Sequence, residues 1–294
     1  MSWADFTSAV FNFTDYAELL PLFRDSLLAG AILGLVGGLI GTFVMMRDLA
    51  FAVHGIAELS FAGASFALLV GADVIFGSLV GSVLAALLLG VMGVRARGRN
   101  SVIGVIMPFG LGLGILFLSL YQGRAANKFG LLTGQIVSVD STQLSALAVT
   151  ALVVIAGLVL IWRPLTFASA DPDIAAARGV PVRTLSVAFM FLLGISVALS
   201  IQVVGALLVL ALLITPAAAA LQVTAAPRMV VLLSVAFAML ATVGGIMLAL
   251  GGRIPISPYV TTLSFVIYLV CRALGALRRR RGWTARAAAP PAHA

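Results

Sequence analysis

The stretch SLLAGAILGLVGGLIGTFVMMRDLAFAVHGIAELSFAGASFALLVG, residues 26–71, decides the fold of this chain. It holds two apolar runs of about 20 residues, the length that an α-helix needs to cross the hydrocarbon core of a membrane. His54 and Glu58 are the only ionisable side chains placed deep inside any long apolar segment of the sequence. Because an ionisable group in lipid is costly, such residues usually face a bundle interior or a water-filled path. The two residues lie four apart, so one helix presents both on the same face.

The composition of the whole chain is that of a membrane protein. Of its 294 residues, 62% are hydrophobic and only 10% are charged, whereas soluble domains have about 25% charged residues. The formal net charge is +8, but the arginines cluster between and after the apolar runs, which is typical of topology signals and argues against a nucleic-acid partner. The single Cys271 excludes an internal disulfide and a cysteine-cluster metal site.

The apolar runs predict an all-α polytopic membrane protein, a bundle of eight to nine transmembrane helices. The predicted helices cover 26–46, 51–71, 74–94, 101–121, 142–162, 185–203, 204–224, 229–250 and 259–277. The sixth and seventh are barely separated, so eight crossings plus one broken segment is an alternative. We assign 26–277 to a transmembrane domain, 1–25 to an N-terminal segment, and 278–294 to a basic tail that we expect to be disordered.

Basic residues mark every second boundary between these helices. Cytoplasmic loops are enriched in Lys and Arg close to the helix ends. Arginines follow the third, fifth, seventh and ninth predicted helices, namely Arg95, Arg97, Arg99, Arg163, Arg178, Arg183, Arg228 and Arg278 to Arg281. The pattern predicts that the acidic N-terminal segment lies outside the cell and that the C-terminus lies in the cytoplasm.

The longest polar-looking segment on the predicted cytoplasmic side is LTFASADPDIAAARGVPVRT, residues 165–184. Asp171 and Asp173 are typical of a helix start, where acidic residues meet the positive end of the helix dipole. Gly179 is typical of a helix stop. We expect a helix of about eight residues. A partner protein that covers it would explain so short a surface helix, and an ordinary connector is the alternative.

Thr215-Pro216 lies in the middle of the seventh predicted helix. A proline there removes one backbone hydrogen bond and kinks the helix. We interpret Pro216 either as a hinge of a moving segment or as a static kink.

Several motifs resemble one known family. DPDIAAARGVPV (171–182), VVGALLVLALLITPAAAALQV (203–223) and GTFVMMRDLAFAVHGIAELSFAG (41–63) are similar to segments of the ABC-3 family, the permeases of bacterial zinc and manganese ABC importers. The resemblance covers roughly residues 25 to 275, with the motifs in the family's order. It implies a multi-pass protein of the bacterial plasma membrane.

The resemblance also implies the partners of this chain: a second copy of itself, cytoplasmic ABC ATPase subunits and an extracytoplasmic metal-binding protein. Asp171, Asp173, Arg178 and Gly179 would belong to the segment that couples the permease to the ATPase. The sequence has no G-x-x-x-x-G-K-[ST] motif and a single lysine, Lys128, so ATP must bind to a partner subunit. We expect no enzyme activity and no cofactor in this chain.

The resemblance implies that the transported zinc or manganese ion passes His54 and Glu58 near the centre of the dimer, and we favour zinc. Family members usually carry Asp and, four residues later, His, so this chain has the imidazole and the carboxylate in reversed order. Both ligand types suit either metal, and the absence of thiolates disfavours copper(I). The alternative for the pair is a hydrogen bond that only satisfies both groups inside the bundle.

Other functions remain open at this point. One is an importer permease for a metal chelate such as a siderophore or corrinoid. Another is a proton-coupled secondary transporter in which His54 and Glu58 relay protons, although we find no internal symmetry of the kind expected for such transporters. A membrane scaffold that transports nothing is disfavoured by the polar pair.

Overall fold

The structure is a computed structural model and describes residues 16–92, 96–123, 139–205, 208–250 and 255–287. In these ranges the chain forms helices and connecting turns, and no strand. The helices in chain order are α1 (Tyr16–Leu22), α2 (Arg24–Met46), α3 (Ala50–Val70), α4 (Val74–Met92), α5 (Ala96–Leu120), α6 (Ser141–Ala170), α7 (Pro172–Ala177), α8 (Val182–Val204), α9 (Val209–Leu213), α10 (Thr215–Val223), α11 (Pro227–Ala249) and α12 (Ile256–Ala287).

Eight helices of the described residues are long and apolar enough to cross a membrane: α2 to α6, α8, α11 and α12. The predicted all-α bundle is therefore confirmed, in the form of eight crossings plus a broken segment. In place of the predicted seventh helix, Val209–Val223 form a shorter apolar segment that Ile214 divides into α9 and α10. Gly205, at φ 82°, ends α8. Pro216 has no backbone N–H to donate and lies in the first turn of α10, where none is needed.

The contacts between helices give the direction of each one. Gly30 of α2 faces Ile246 and Gly38 faces Val235, so α2 and α11 run antiparallel. Gly244 and Gly245, near the end of α11, face Leu263 and Val260, near the start of α12, so these two helices are also antiparallel, and α2 and α12 run in the same direction. The N-terminal end of α2 and the C-terminal end of α12 therefore lie at opposite ends of the bundle. The broken segment runs with them, because Ala211 accepts a hydrogen bond from Ser264 of α12 and Gln222 faces Gly275 further along.

Two helices extend beyond their predicted ends. The fifth predicted helix ends at 162, but α6 continues to Ala170 despite Pro164, because Leu165 and Ala168 are buried and hold the last turns in place. The helix α12 continues to Ala287, so the start of the predicted disordered tail is helical. Arginine and alanine, which favour helix, make up most of 278–287. Residues 1–15 of the N-terminal segment, Arg95, and residues 288–294 of the tail lie outside the described residues.

The helix α3 is held closely on both sides. A Cβ on Gly63 would collide with the backbone carbonyl oxygen of Gly77, so α4 can approach α3 only because both residues are glycine. On the other side, a Cβ on Gly110 of α5 would lie 3.1 Å from the carbonyl carbon of Glu58. In lipid, where no hydrophobic effect drives helices together, such close backbone contact is the main source of packing energy. The helix that carries His54 and Glu58 is thus fixed between two neighbours.

Candidate metal pathway and coupling segment

His54 and Glu58 lie one turn apart on α3, as the sequence predicts. The distance from Nε2 of His54 to Oε1 of Glu58 is 3.8 Å, and the two side chains are 35% and 15% exposed. This distance is too long for a direct hydrogen bond. The pair therefore does not satisfy itself in this structure, and both side chains keep polar atoms that face partly open space.

The geometry of the pair suits a divalent ion. Two ligands about 2.1 Å from one tetrahedral ion lie about 3.4 Å apart, only slightly less than the 3.8 Å between these two atoms. A small rotation of either side chain would bring both onto one ion. Among the described residues, no group of three or more His, Cys, Asp or Glu side chains could hold a metal. If the pair held an ion, one copy of the chain would supply only two ligands, and so small a ligand set would bind weakly and release readily.

A third polar residue, Ser65, lies on the same face of α3. It follows His54 by eleven residues and Glu58 by seven, and both intervals return to nearly the same side of a helix. The Ser65 hydroxyl is fully buried and has no hydrogen-bond partner in the described part of the chain. An unsatisfied buried polar group costs about 1–3 kcal/mol. Ser65 is not among the site residues predicted from the sequence, although its spacing of seven residues from Glu58 indicates the shared face.

The predicted coupling segment contains the helix that its sequence indicates. The side chain of Asp171 accepts a hydrogen bond of 2.9 Å from the backbone N–H of Ile174 and caps α7. At the other end Gly179 adopts φ 81°, and the N–H of Val180 reaches back to the carbonyl of Ala175, a glycine-type helix stop. The helix has six residues, shorter than the predicted length of about eight. Asp173 and Arg178 are exposed on its surface.

The helix α7 is fixed to its neighbours on one side and open on the other. Ala175 is fully buried against Ala168 of α6 and Leu185 of α8. Ile174, by contrast, is 51% exposed. A cavity of about 790 Å³ separates α7 from the turn that joins α2 to α3. Displacement of α7 would therefore carry the ends of α6 and α8 with it.

Pro216 lies where the segment Val209–Val223 is interrupted, between α9 and α10, and Ile214 at this junction keeps helical dihedral angles. It is buried at the start of α10, directly after the break at Ile214. The break faces α2, where Gly37 contacts the backbone oxygen of Leu212. The structure thus places Pro216 at a junction between two short helices, and its role as a hinge stays a prediction.

The chain is similar in sequence to membrane proteins of metal transport systems. The chain is 29% identical over 224 residues to the manganese transport system membrane protein MntC of Halalkalibacterium halodurans, with 76% of this chain and 77% of that protein covered. It is 23% identical over 232 residues to the high-affinity zinc uptake system membrane protein ZnuB of Haemophilus influenzae, with 79% and 89% covered.

A solved structure and a family of known proteins also match this chain. PsaBC from Streptococcus pneumoniae in complex with Fab matches the structure with a TM-score of 0.77 and 23% identity, covering 87% of this chain and 94% of that chain, which supports the fold alone. The family match extends over residues 20–275 and includes α3, α7 and α10. The chain therefore belongs to the ABC 3 transport family and is a multi-pass protein of the bacterial plasma membrane.

Proposed function

We propose that this chain is the permease subunit of an ATP-driven importer for a divalent transition-metal ion, zinc rather than manganese. The observation that carries the proposal is the pair of His54 and Glu58, two partly open ligands 3.8 Å apart on a helix inside the bundle. Relatives in the same family are named for manganese transport and for zinc uptake. Membership in an ABC transport family supports ATP hydrolysis by a partner subunit as the energy source.

The choice of zinc rests on the chemistry of the pair, because the names of the relatives point to both metals. Manganese suits sites made of carboxylates, carbonyls and water, whereas imidazole suits zinc. Zinc also binds a given nitrogen and oxygen site more tightly than manganese does. One imidazole among two ligands therefore favours zinc.

A second copy of the chain would complete the site. Zinc usually has four ligands in a tetrahedral arrangement, and one copy offers His54 and Glu58. The open side of this pair would face the same pair of a second copy across a two-fold axis, since most homo-oligomers are symmetric dimers. The transported ion would then be shared between two imidazoles and two carboxylates.

The two ends of the bundle would meet different partners. Arg47, Arg183 and Arg228 lie at the end that carries α7, and by the positive-inside rule this end faces the cytoplasm. A cytoplasmic ATPase would dock on α7, where Ile174, Asp173 and Arg178 are exposed. An extracytoplasmic metal-binding protein would deliver the ion at the opposite end. ATP would bind to the ATPase, so this chain would carry no catalysis of its own.

Transport requires that the path of the ion opens alternately to the two sides of the membrane. Closure of the ATPase would displace α7, and the break before Pro216 would let α10 move as a hinge against α9. Each state needs different contacts with the nucleotide-bound partner for ATP to shift the equilibrium. Ser65 would supply one more oxygen along the path between the outer end of α3 and the metal-binding pair.

Uptake of radioactive zinc and manganese by proteoliposomes tests the proposal. The vesicles would hold this chain with its cognate ATPase and metal-binding protein. We expect zinc uptake that requires ATP and exceeds manganese uptake. Faster manganese uptake would contradict the choice of metal but not the importer. Uptake that needs only a proton gradient would identify a secondary transporter, and uptake of chelated metal alone would identify a chelate importer.

A further inference from the structure

Arg47 joins three parts of the bundle at the end that carries α7. It follows the last residue of α2, and its Nη1 donates a hydrogen bond of 3.3 Å to Oγ of Ser169 in α6. Its Nη2 donates to Oγ of Ser186 in α8. The guanidinium carbon also lies 5.9 Å from the ring centroid of Phe189. One side chain thus links the turn before α3 to the two helices that flank α7.

The contacts of Arg47 lie next to the residues that fix α7. Ser169 directly follows Ala168, and Ser186 directly follows Leu185, the two residues against which Ala175 of α7 is buried. A displacement of α7 must therefore move both hydroxyl groups that Arg47 holds.

On its other side, Arg47 is close to the start of α3. Leu49 is 4% exposed, and its carbonyl accepts a hydrogen bond from Val53 in the first turn of α3. Asp48 adopts φ 53°, a left-handed conformation that is uncommon for a residue other than glycine. Only this tight turn at Asp48 and the buried Leu49 separate Arg47 from the first residue of α3. His54 follows within two turns.

The aromatic contacts that join α2 to α6 and α8 are less directional than these hydrogen bonds. Phe43 of α2 packs edge-on against Trp162 at 4.9 Å and against Phe189 at 6.0 Å, but aromatic contacts of this kind tolerate sliding. The cavity of about 790 Å³ leaves α7 itself separated from the corner. The hydrogen bonds of Arg47 to Ser169 and Ser186 therefore form a directional connection between the helices that flank α7 and the corner before α3.

We propose that Arg47 is a positioning residue that transmits displacement of α7 to α3, and so sets whether the His54–Glu58 pair opens when the ATPase closes. This inference rests on the proposed function, because it requires a partner that moves α7. It assigns Arg47 no contact with the metal.

The test measures how many zinc ions the reconstituted complex transports for each ATP that it hydrolyses. We expect Arg47→Gln to keep assembly and ATP hydrolysis but to lower this ratio about tenfold, within the usual range of coupling between sites. The double variant Ser169→Ala/Ser186→Ala removes the acceptors and leaves Arg47 intact, and it should lower the ratio in the same direction. Arg47→Lys, which cannot reach both acceptors with a planar fork, should restore only part of it.

Arg228→Gln is the matched control, because Arg228 is an exposed arginine at the same end of the bundle. Its ratio should equal that of the wild type. An unchanged ratio in both Arg47→Gln and the serine double variant would overturn the inference, as would a proportional loss of hydrolysis and transport. If the wild-type complex transports neither metal with ATP, the proposed function fails first, and this inference fails with it.

Discussion

At the scale of single residues, the packing of α3 leaves three polar side chains without a direct hydrogen bond to one another or to a described neighbour. His54 and Glu58 are 3.8 Å apart and partly open, and Ser65 is buried without a partner in the part of the chain that the structure describes. A structural role would favour satisfied groups, because unpaired buried polar atoms destabilise the fold. Ser65 is the one such group among the described residues, and it lies on the same face of α3 as the partly exposed His54 and Glu58, which supports the proposed passage of an ion along this face.

Replacement of Ser65 by alanine separates the two explanations. Because the hydroxyl makes no hydrogen bond, its removal should leave the free energy of unfolding unchanged or raise it by up to about 1 kcal/mol. Zinc uptake should fall nonetheless. Thermal unfolding in detergent and uptake in proteoliposomes measure the two effects, and Ser145→Ala, at an exposed serine of α6, is the control. Unchanged uptake in Ser65→Ala would remove Ser65 from the path.

At the scale of helices, α7 should depend on its N-terminal cap. Asp171→Ala removes the hydrogen bond to the N–H of Ile174 and should destabilise α7 by about 1 kcal/mol. Amide hydrogen exchange in α7 should then be about fivefold faster. Asp171→Asn keeps a side-chain oxygen and is the matched control, with exchange near that of the wild type. Equal exchange in the alanine variant and the wild type would show that packing of Ala175 alone holds α7.

The sequence predicted most of the helices because a run of apolar residues must cross the membrane as a helix. It also predicted the caps of α7, because Asp171 and Gly179 act locally. It misplaced the end of α6, where burial of Leu165 and Ala168 outweighs the presence of Pro164. The lack of a hydrogen-bond partner at the Ser65 hydroxyl and the hydrogen bonds of Arg47 depend on neighbours distant in sequence. No local pattern gives these contacts.

At the scale of the whole molecule, the proposed direction of the bundle in the membrane rests on its charges. Asp73 lies in the turn between α3 and α4, whereas Ala225 lies in the turn between α10 and α11, at the end that carries α7. With the buried Cys271 changed to serine, an impermeant maleimide should label Asp73→Cys on intact cells. It should label Ala225→Cys only after permeabilisation. The reverse pattern would place α7 outside the cell and exclude a cytoplasmic ATPase at this site.

The helix α3 carries the polar pair between the two ends of the bundle. Arg47 lies just before the start of α3, Asp73 lies just beyond its end, and His54 and Glu58 lie between them. An ion that follows α3 from one end to the other must pass this pair. The central claim is therefore that the carboxylate of Glu58 contacts the transported ion.

The initial rate of ATP-driven zinc uptake by Glu58→Gln tests this claim most directly. Glu18 is the other glutamate of the chain and is exposed on α1, so Glu18→Gln is the matched control. We predict that Glu58→Gln assembles and hydrolyses ATP, with uptake reduced about tenfold or more. Loss of even an outer-shell partner of a metal ligand lowers metal affinity or activity by about tenfold or more. Glu18→Gln should transport as the wild type does. Wild-type uptake by Glu58→Gln would contradict the account and leave the pair a feature of packing.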